Sequence, residues 1–371
     1  MKFTVNAGEL SAALRGPCDR ARAANVIAIL KHIRCEAAAG AEVRLLGHDM
    51  DSSSEATVAA EVGAPGASAI PAEPLARIAA GFHKAASVIV EVVGKDAIIR
   101  SGRSRYKLPV LDAKDMPAPL TAEGGAKFQI SSEDIKQLFV RARSAINPKE
   151  PRTCLQGFYV HPDAGRLCSV ATNGYALMRF GTPIEPGAFK GAIIPRSAAD
   201  EIVKFGKGGE LAISDRIVSF SVAGAIYSSK LIDSTYPEAF QGVIGATDER
   251  IGMAKIDRET VLECLARLRA AGDFSETDLV DIEIANEEIS ISVTGAADGA
   301  EKIECESETE GFVCLRAEQL TSALEAMDGE TVQFRIPNER EAFRVIDPQE
   351  PFAVNILVPC ASKTNRRAEA A

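Results

Sequence analysis

The chain is 371 residues long, 46% hydrophobic, and carries a formal net charge of −10. That length exceeds what a single hydrophobic core serves, and the acidic balance argues against a protein that coats nucleic acid by bulk attraction. No apolar run approaches the roughly 18–20 residues that span a bilayer. Met1-Lys2-Phe3-Thr4 leads into no signal-peptide core, so a cytoplasmic protein is expected. The cysteines at 18, 35, 154, 168, 264, 305, 314 and 360 include no Cys-x-x-Cys pair and read as buried free thiols.

Taken in chain order, the pattern repeats. Phe3-Thr4-Val5-Asn6-Ala7-Gly8-Glu9-Leu10 is a short strand, a cap-like polar residue and the start of an amphipathic helix, predicted over about 10–19. Ala69-Ile70-Pro71-Ala72-Glu73-Pro74-Leu75 repeats the theme and predicts a helix over 73–83. Phe128–Ile135 opens a second copy with a helix over 132–144, and Ile193-Ile194-Pro195-Arg196 its second half, with a helix over 196–205. Lys255–Leu262 and Phe312–Glu318 open a third, with helices over 258–270 and 317–326. β-Branched runs at Val88–Val93, Ile217–Val222 and Ile289–Val293 read as strands. Pro117–Gly125 and Gly245–Arg250 read as linkers. A fixed period sets the architecture before any single motif does. The expectation is an α+β chain of three repeated domains, each a duplicated strand–helix–strands half-unit, at 1–122, 126–247 and 251–362. A disordered tail is expected at 363–371.

A catalytic reading has little to stand on. Gly47-His48-Asp49-Met50-Asp51 suggests a metal site or a general base, but His32, His48, His83 and His161 form no His-x-x-x-His pair. His48 falls where the next copy has the turn Thr172-Asn173-Gly174, so a turn role explains it better than a metal-dependent hydrolase does. No Gly-rich phosphate loop occurs. No catalytic residue, metal or cofactor is expected.

Several stretches are more specific than a pattern. They are Arg100–Leu108 followed by Asp115-Met116-Pro117; Leu155-Gln156-Gly157-Phe158-Tyr159-Val160 with Val170–Leu177; Ser228–Asp233 with Tyr236-Pro237; and Ile356-Leu357-Val358-Pro359. Together, in order and over almost the whole chain, they resemble the bacterial sliding clamp, the β subunit of DNA polymerase III. The resemblance implies a DNA clamp fold and a ring-shaped head-to-tail homodimer that encircles duplex DNA without sequence preference. It implies a processivity factor with no enzymatic activity, a subunit of the DNA polymerase III holoenzyme. Its partners would be the replicative polymerase subunit, the clamp loader, and repair and translesion polymerases, held through short peptides. The alternative is a specialised clamp-fold paralogue serving repair or mobile-element replication.

The resemblance also assigns residues. Arg20, Arg22, Lys149, Arg152 and Arg196 are expected at the DNA backbone, with Lys84, Lys136, Arg141, Arg143, Lys204, Arg267 and Arg269 as further bases on or beside the helices. A peptide cleft would be walled by Leu155, Thr172, Gly174, Tyr175, Leu177, Pro237, Val243, Ile356, Leu357, Val358 and Pro359. Arg103, Arg105 and Lys107 alternate along one predicted strand, and Glu304, Glu306, Glu308 and Glu310 along another. Pairing of these rows across a subunit boundary is expected, with Tyr106 and Phe274 as apolar contacts. The chain departs from the family at Tyr175-Ala176, where His-Arg is usual, and at Glu238–Gly242, which lacks the usual arginine pair. It also differs at Cys360-Ala361-Ser362, at Gly272-Asp273, and at Ala24, where a base is usual.

Overall fold

Along the chain, short strands run directly into helices: Lys2–Asn6 into Ala7–Ala13, Gly66–Pro71 into Ala72–Gly81, Ala126–Ile130 into Ser132–Ile135, Ala192–Pro195 into Arg196–Lys204, Met253–Asp257 into Arg258–Ala271, and Gly311–Arg316 into Ala317–Glu325. The structure is a computed structural model and describes residues 1–23, 26–248, 253–271, 278–293, 299–307, 310–335 and 342–362. Side-chain caps close the junctions at Asn6 and at Asp257. Asn6 Oδ1 accepts the Glu9 N–H at 3.1 Å, and Asp257 Oδ1 accepts the Thr260 N–H at 2.7 Å.

Three helices depart from expectation. The first predicted helix is two, Ala7–Ala13 and Arg15–Ala23, divided at Leu14. The second copy's opening helix is irregular. After Ser132–Ile135 it widens into a π-turn over Lys136–Val140, where the Arg141 N–H reaches the Lys136 carbonyl at 3.1 Å, and it ends in a 3-10 turn at Arg143–Ala145. A further helix, Ala239–Asp248, runs into the stretch read as a linker. Gly242 and Gly245 hide it, because glycine opposes helix, yet Phe240, Val243 and Ile244 have helical spacing.

The contacts gather the chain into two units, residues 1–132 with 197–231 and residues 133–196 with 232–371. In the first, an antiparallel 12-stranded sheet runs from Ser104–Pro109 at one edge to Ala126–Ile130 at the other. Its middle is a seam between Ser52–Ala64 of the first copy and Ala225–Lys230 of the second, with Ser53 opposite Ser228 and Ser52 opposite Ser229. The core holds Phe3, Leu10, Leu14, Ile33, Leu45 and Ile70, each at most 1% exposed. The helix Arg15–Ala23 lies so close to the sheet that a Cβ on Gly47 would overlap the Pro17 carbonyl.

In the second unit, a nine-stranded sheet repeats this arrangement one copy later. Its seam joins Ala176–Gly181 to Val354–Leu357, with Leu177 opposite Ile356 and Ala176 opposite Leu357. A four-stranded sheet, with Gly299–Glu304 at one edge, completes the unit.

Arg141 links parts of this second unit. It falls on the buried stripe of its helix, among Leu138, Phe139, Ala142 and Ala145, and its side chain is 2% exposed. Its guanidinium donates to the Ala326 carbonyl, to Gln137 and to Glu350, lies 3.4 Å from Asp328, and covers the Phe180 ring at 4.6 Å. Counted from sequence among the solvent-facing bases, Arg141 is interior. Removing it strands the Ala326 carbonyl and takes the guanidinium from Glu350, while Asp328 keeps Lys136 at 3.0 Å; breaking such a buried tie costs about 3 kcal/mol. Arg141→Ala should lower the urea midpoint of the transition that reports this unit. An unchanged midpoint would show that the network contributes nothing.

Candidate functional site

One turn recurs and sets the edge of the site. In the first copy Asp49 Oδ1 accepts the N–H groups of Asp51 and Ser52, and His48 Nδ1 accepts the Met50 N–H at 2.8 Å. In the second copy Asn173 Oδ1 accepts from Tyr175 and Ala176, and Thr172 Oγ1 accepts from Gly174 at 3.1 Å. The left-handed residue is Met50 (φ 79°) in one and Gly174 (φ 84°) in the other. His48 therefore does for its turn what the Thr172 hydroxyl does. It is 2% exposed, and burial holds its imidazole below the ordinary value, consistent with an accepting neutral ring. Among the described residues, no group of three or more His, Cys, Asp or Glu side chains converges to hold a metal.

Beside the second turn lies an apolar cleft of about 240 Å³. The structure brings Leu155, Thr172, Gly174, Leu177, Pro237, Val243, Ile356 and Val358 together around it. Three expected walls are not among them. Leu357 is fully buried, because alternation along its strand turns it to the face opposite Ile356. Tyr175 lines a neighbouring cavity instead, and Pro359 lies outside the lining.

The lining also includes Arg152, Ala176, Tyr236, Ala239, Phe240 and Ala342. The aromatic members form a rigid floor. Tyr159 stacks between Tyr236 (4.8 Å) and His161 (4.7 Å), and Phe240 meets all three edge-on. Burial pushes the Tyr236 phenol up and the His161 imidazole down, so both are neutral at pH 7. Tyr236 sits beside the recognised Pro237, and the helical spacing of Phe240 with Val243 would have found the rest of this floor.

The expected DNA contacts divide by their partners. Arg20 is corrected: its side chain is 13% exposed, bound to Glu201 at 2.9 Å, Ser52 Oγ at 3.0 Å and Asp49 at 3.4 Å, with the Tyr227 ring beneath it. A guanidinium held on that many sides is a structural tie and offers no free charge to a phosphate. Arg196 is half-buried and donates to the Ile146 carbonyl at 2.7 Å. Arg152 is exposed but pairs with Glu150 at 2.6 Å, and it walls the cleft. Arg22, paired with Asp19 at 3.0 Å, and Lys149 are both exposed.

The expected subunit contacts fall on sheet edges. Ser104–Pro109 carries Arg105, Tyr106 and Lys107, all exposed, and Lys107 reaches Asp96 at 3.0 Å. Arg103 belongs to the preceding turn and not to the strand. The glutamate row is also interrupted. Glu304 ends the edge strand Gly299–Glu304, whereas Glu306 opens a two-residue strand in another sheet and pairs with Lys255 at 3.2 Å. Phe274, Gly272, Asp273 and Glu308 lie outside the described residues, as do Ala24 and the tail 363–371.

A duplicated strand–helix chain, sheets joined across its repeats, and an apolar cleft at one of those seams define a clamp-type protein. Two family models agree: the DNA polymerase III beta subunit N-terminal domain matches residues 1–120 and the central domain residues 129–238. The chain belongs to the DNA polymerase III beta subunit family, the beta sliding clamps. Similarity extends past those regions. It is 26% identical over 373 residues to the beta sliding clamp of Caulobacter vibrioides (strain NA1000 / CB15N), covering 97% of this chain and 99% of that one. The crystal structure of the DNA polymerase sliding clamp from Caulobacter crescentus matches with a TM-score of 0.89 at 25% identity, over 98% of this chain and 100% of that one. The sliding clamp of Bartonella birtlesii, solved bound to griselimycin, matches with a TM-score of 0.89 at 20% identity, over 98% and 100%.

The turn at the cleft's edge depends on one side chain. Asn173→Ala removes both bonds that Oδ1 accepts, at about 1 kcal/mol each. The Tyr175 and Ala176 amides should then exchange with solvent at least about tenfold faster. Unchanged exchange would show that Thr172 alone sets the turn.

Proposed function

We propose that this chain is a processivity factor: two copies close head to tail around duplex DNA, and the cleft tethers polymerases by a short apolar peptide. The observation that carries the reading is the cleft itself, sited on a clamp fold matched end to end. Val243 and Val358 are about 40% exposed at its mouth while Leu155, Leu177 and Ile356 are buried below them, so the cleft is open to an entering side chain and apolar beneath. Each leucine or phenylalanine anchor placed there gains about 2 kcal/mol from burial. The Bartonella birtlesii relative, which has the same fold, was solved with griselimycin bound.

Encirclement reconciles the net charge of −10 with a DNA partner. A closed ring retains DNA by topology, so a few exposed bases such as Arg22 and Lys149 suffice and the exterior can be acidic. The edge strands Ser104–Pro109 and Gly299–Glu304 are the surfaces through which the two copies would pair, extending antiparallel sheet across the boundary. The three-domain organisation, the cytoplasmic location and membership of the polymerase holoenzyme belong to this proposal. Among the described residues no helix is long and apolar enough to cross a membrane. The specialised paralogue remains the second reading, favoured by the altered lining at Ala176 and Ala239.

Two measurements check the proposal. Val358→Asp puts a charge at the mouth of the cleft without touching the core. It should weaken a fluorescent peptide with leucine and phenylalanine anchors by about tenfold or more and leave thermal unfolding unchanged. Undiminished binding would move the peptide site elsewhere. Light scattering over a dilution series should give a mass near twice the 39.3 kDa chain. Arg105→Glu should shift that dimer toward monomer, more at low salt than at high salt. A dimer indifferent to Arg105 would place the boundary on another surface.

A further inference from the structure

The apolar cleft shares a wall with a second cavity. The turn Thr172–Ala176 separates the two: Thr172 and Gly174 face the cleft, Asn173 and Tyr175 the second cavity, and Ala176 lines both. The second cavity measures about 540 Å³ and is polar. Three arginines line it, Arg143, Arg196 and Arg316, against two carboxylates, Glu150 and Glu318. Glu150 is already neutralised by Arg152, and that ion pair holds its carboxyl below the ordinary range. The cavity is therefore locally cationic in a chain whose net charge is −10.

Arg316 differs from its neighbours in what holds it. Arg196 is engaged by the Ile146 carbonyl, and Arg143 also has a partner. The Arg316 guanidinium lies 4.3 Å from the centroid of the Tyr175 ring, and among the described residues its side chain has no carboxylate partner. Tyr175 is 49% exposed, so this stack stands at the crest between the two cavities. Stacking fixes the plane of a guanidinium and leaves its N–H edge free for a bidentate anion.

We propose that Arg316, held by Tyr175, is a specificity residue that reads an acidic side chain flanking the apolar anchors of the partner peptide. The inference rests on the cleft being the peptide site. A peptide anchored in the cleft and crossing the Gly174–Tyr175 crest brings its next residues over Arg316. Aspartate or glutamate there completes the missing ion pair, and asparagine or glutamine does not. Continuity with the apolar cleft favours a peptide over a nucleic acid strand as the occupant, because the two cavities meet at Ala176 and a strand of phosphates gains nothing from the first. Arg316 is a binding residue with no catalytic part.

The test uses the full chain and two labelled peptides with the same leucine and phenylalanine anchors. One is flanked on both sides by aspartates and the other by asparagines, and anisotropy reads the affinities. Wild type should bind the aspartate peptide about fivefold tighter at low salt, the order expected of a half-exposed charged contact. Arg316→Glu should reverse the preference and Arg316→Gln should erase it, with the asparagine peptide bound as before in both. Equal affinities for the two peptides in wild type, unchanged in Arg316→Glu, overturn this inference and leave the cleft reading intact. Failure of wild type to bind either peptide overturns both. If a single-stranded oligothymidylate binds in an Arg316-dependent way and the aspartate peptide shows no preference, the cavity is a nucleic acid site and the proposal falls.

Discussion

Everything distinctive about this protein depends on antiparallel pairing between strands of successive repeats. The same register occurs twice. Ser53 faces Ser228 at the first seam, and Leu177 faces Ile356 at the second. The backbone geometry is shared, so side-chain chemistry decides what each seam does. At the first, buried serines bind protein groups: the Ser53 hydroxyl accepts the Leu120 N–H at 3.0 Å, and the Ser219 and Ser228 hydroxyls meet at 2.8 Å. That seam is satisfied internally. At the second, leucine and isoleucine offer no hydrogen bond and border an open cleft. Apolar surface left at a concave site is a place for a partner's side chains.

The arginines follow the same logic. Arg20 in the first unit and Arg141 in the second are both drawn inward, each tied to more than one carboxylate and set against an aromatic ring. Such ties fix geometry more than they add stability, since desolvation offsets much of the Coulombic gain. Fixed geometry suits a protein whose role is to hold others in register. Of the five bases expected at the DNA backbone only Arg22, Lys149 and Arg152 stay exposed, which suits a partner retained by closure instead of by attraction.

How much of this was legible in the sequence depended on what carried the signal. The repeat was legible because strand and helix periodicities recur at a fixed interval, and the cleft because most of its walls lie in recognisable stretches around Leu155, Thr172–Leu177 and Ile356–Val358. A motif taken as a block misplaces Leu357, because strand alternation turns it to the face opposite Ile356. The floor formed by Tyr236 and Phe240 was missed because Gly242 and Gly245 disguised a helix. Arg20 and Arg141 look solvent-facing in the sequence because charge alone does not reveal a buried partner. Arg141 nevertheless lies three residues after Leu138 and four before Ala145, a spacing that marks it as interior. The partners of Arg20, on Asp49 and Glu201, are too distant in sequence for any local pattern to show.

A ring that encircles DNA depends on the topology of the DNA and not on contact with it. The chain would be loaded by a clamp loader and ATP onto a nicked circular duplex, and the complex passed through a gel-filtration column at moderate salt. The protein should stay with the circle and be lost when a single restriction cut makes the DNA linear. Retention that is indifferent to the cut would mean the chain holds DNA by contact, and encirclement would be wrong.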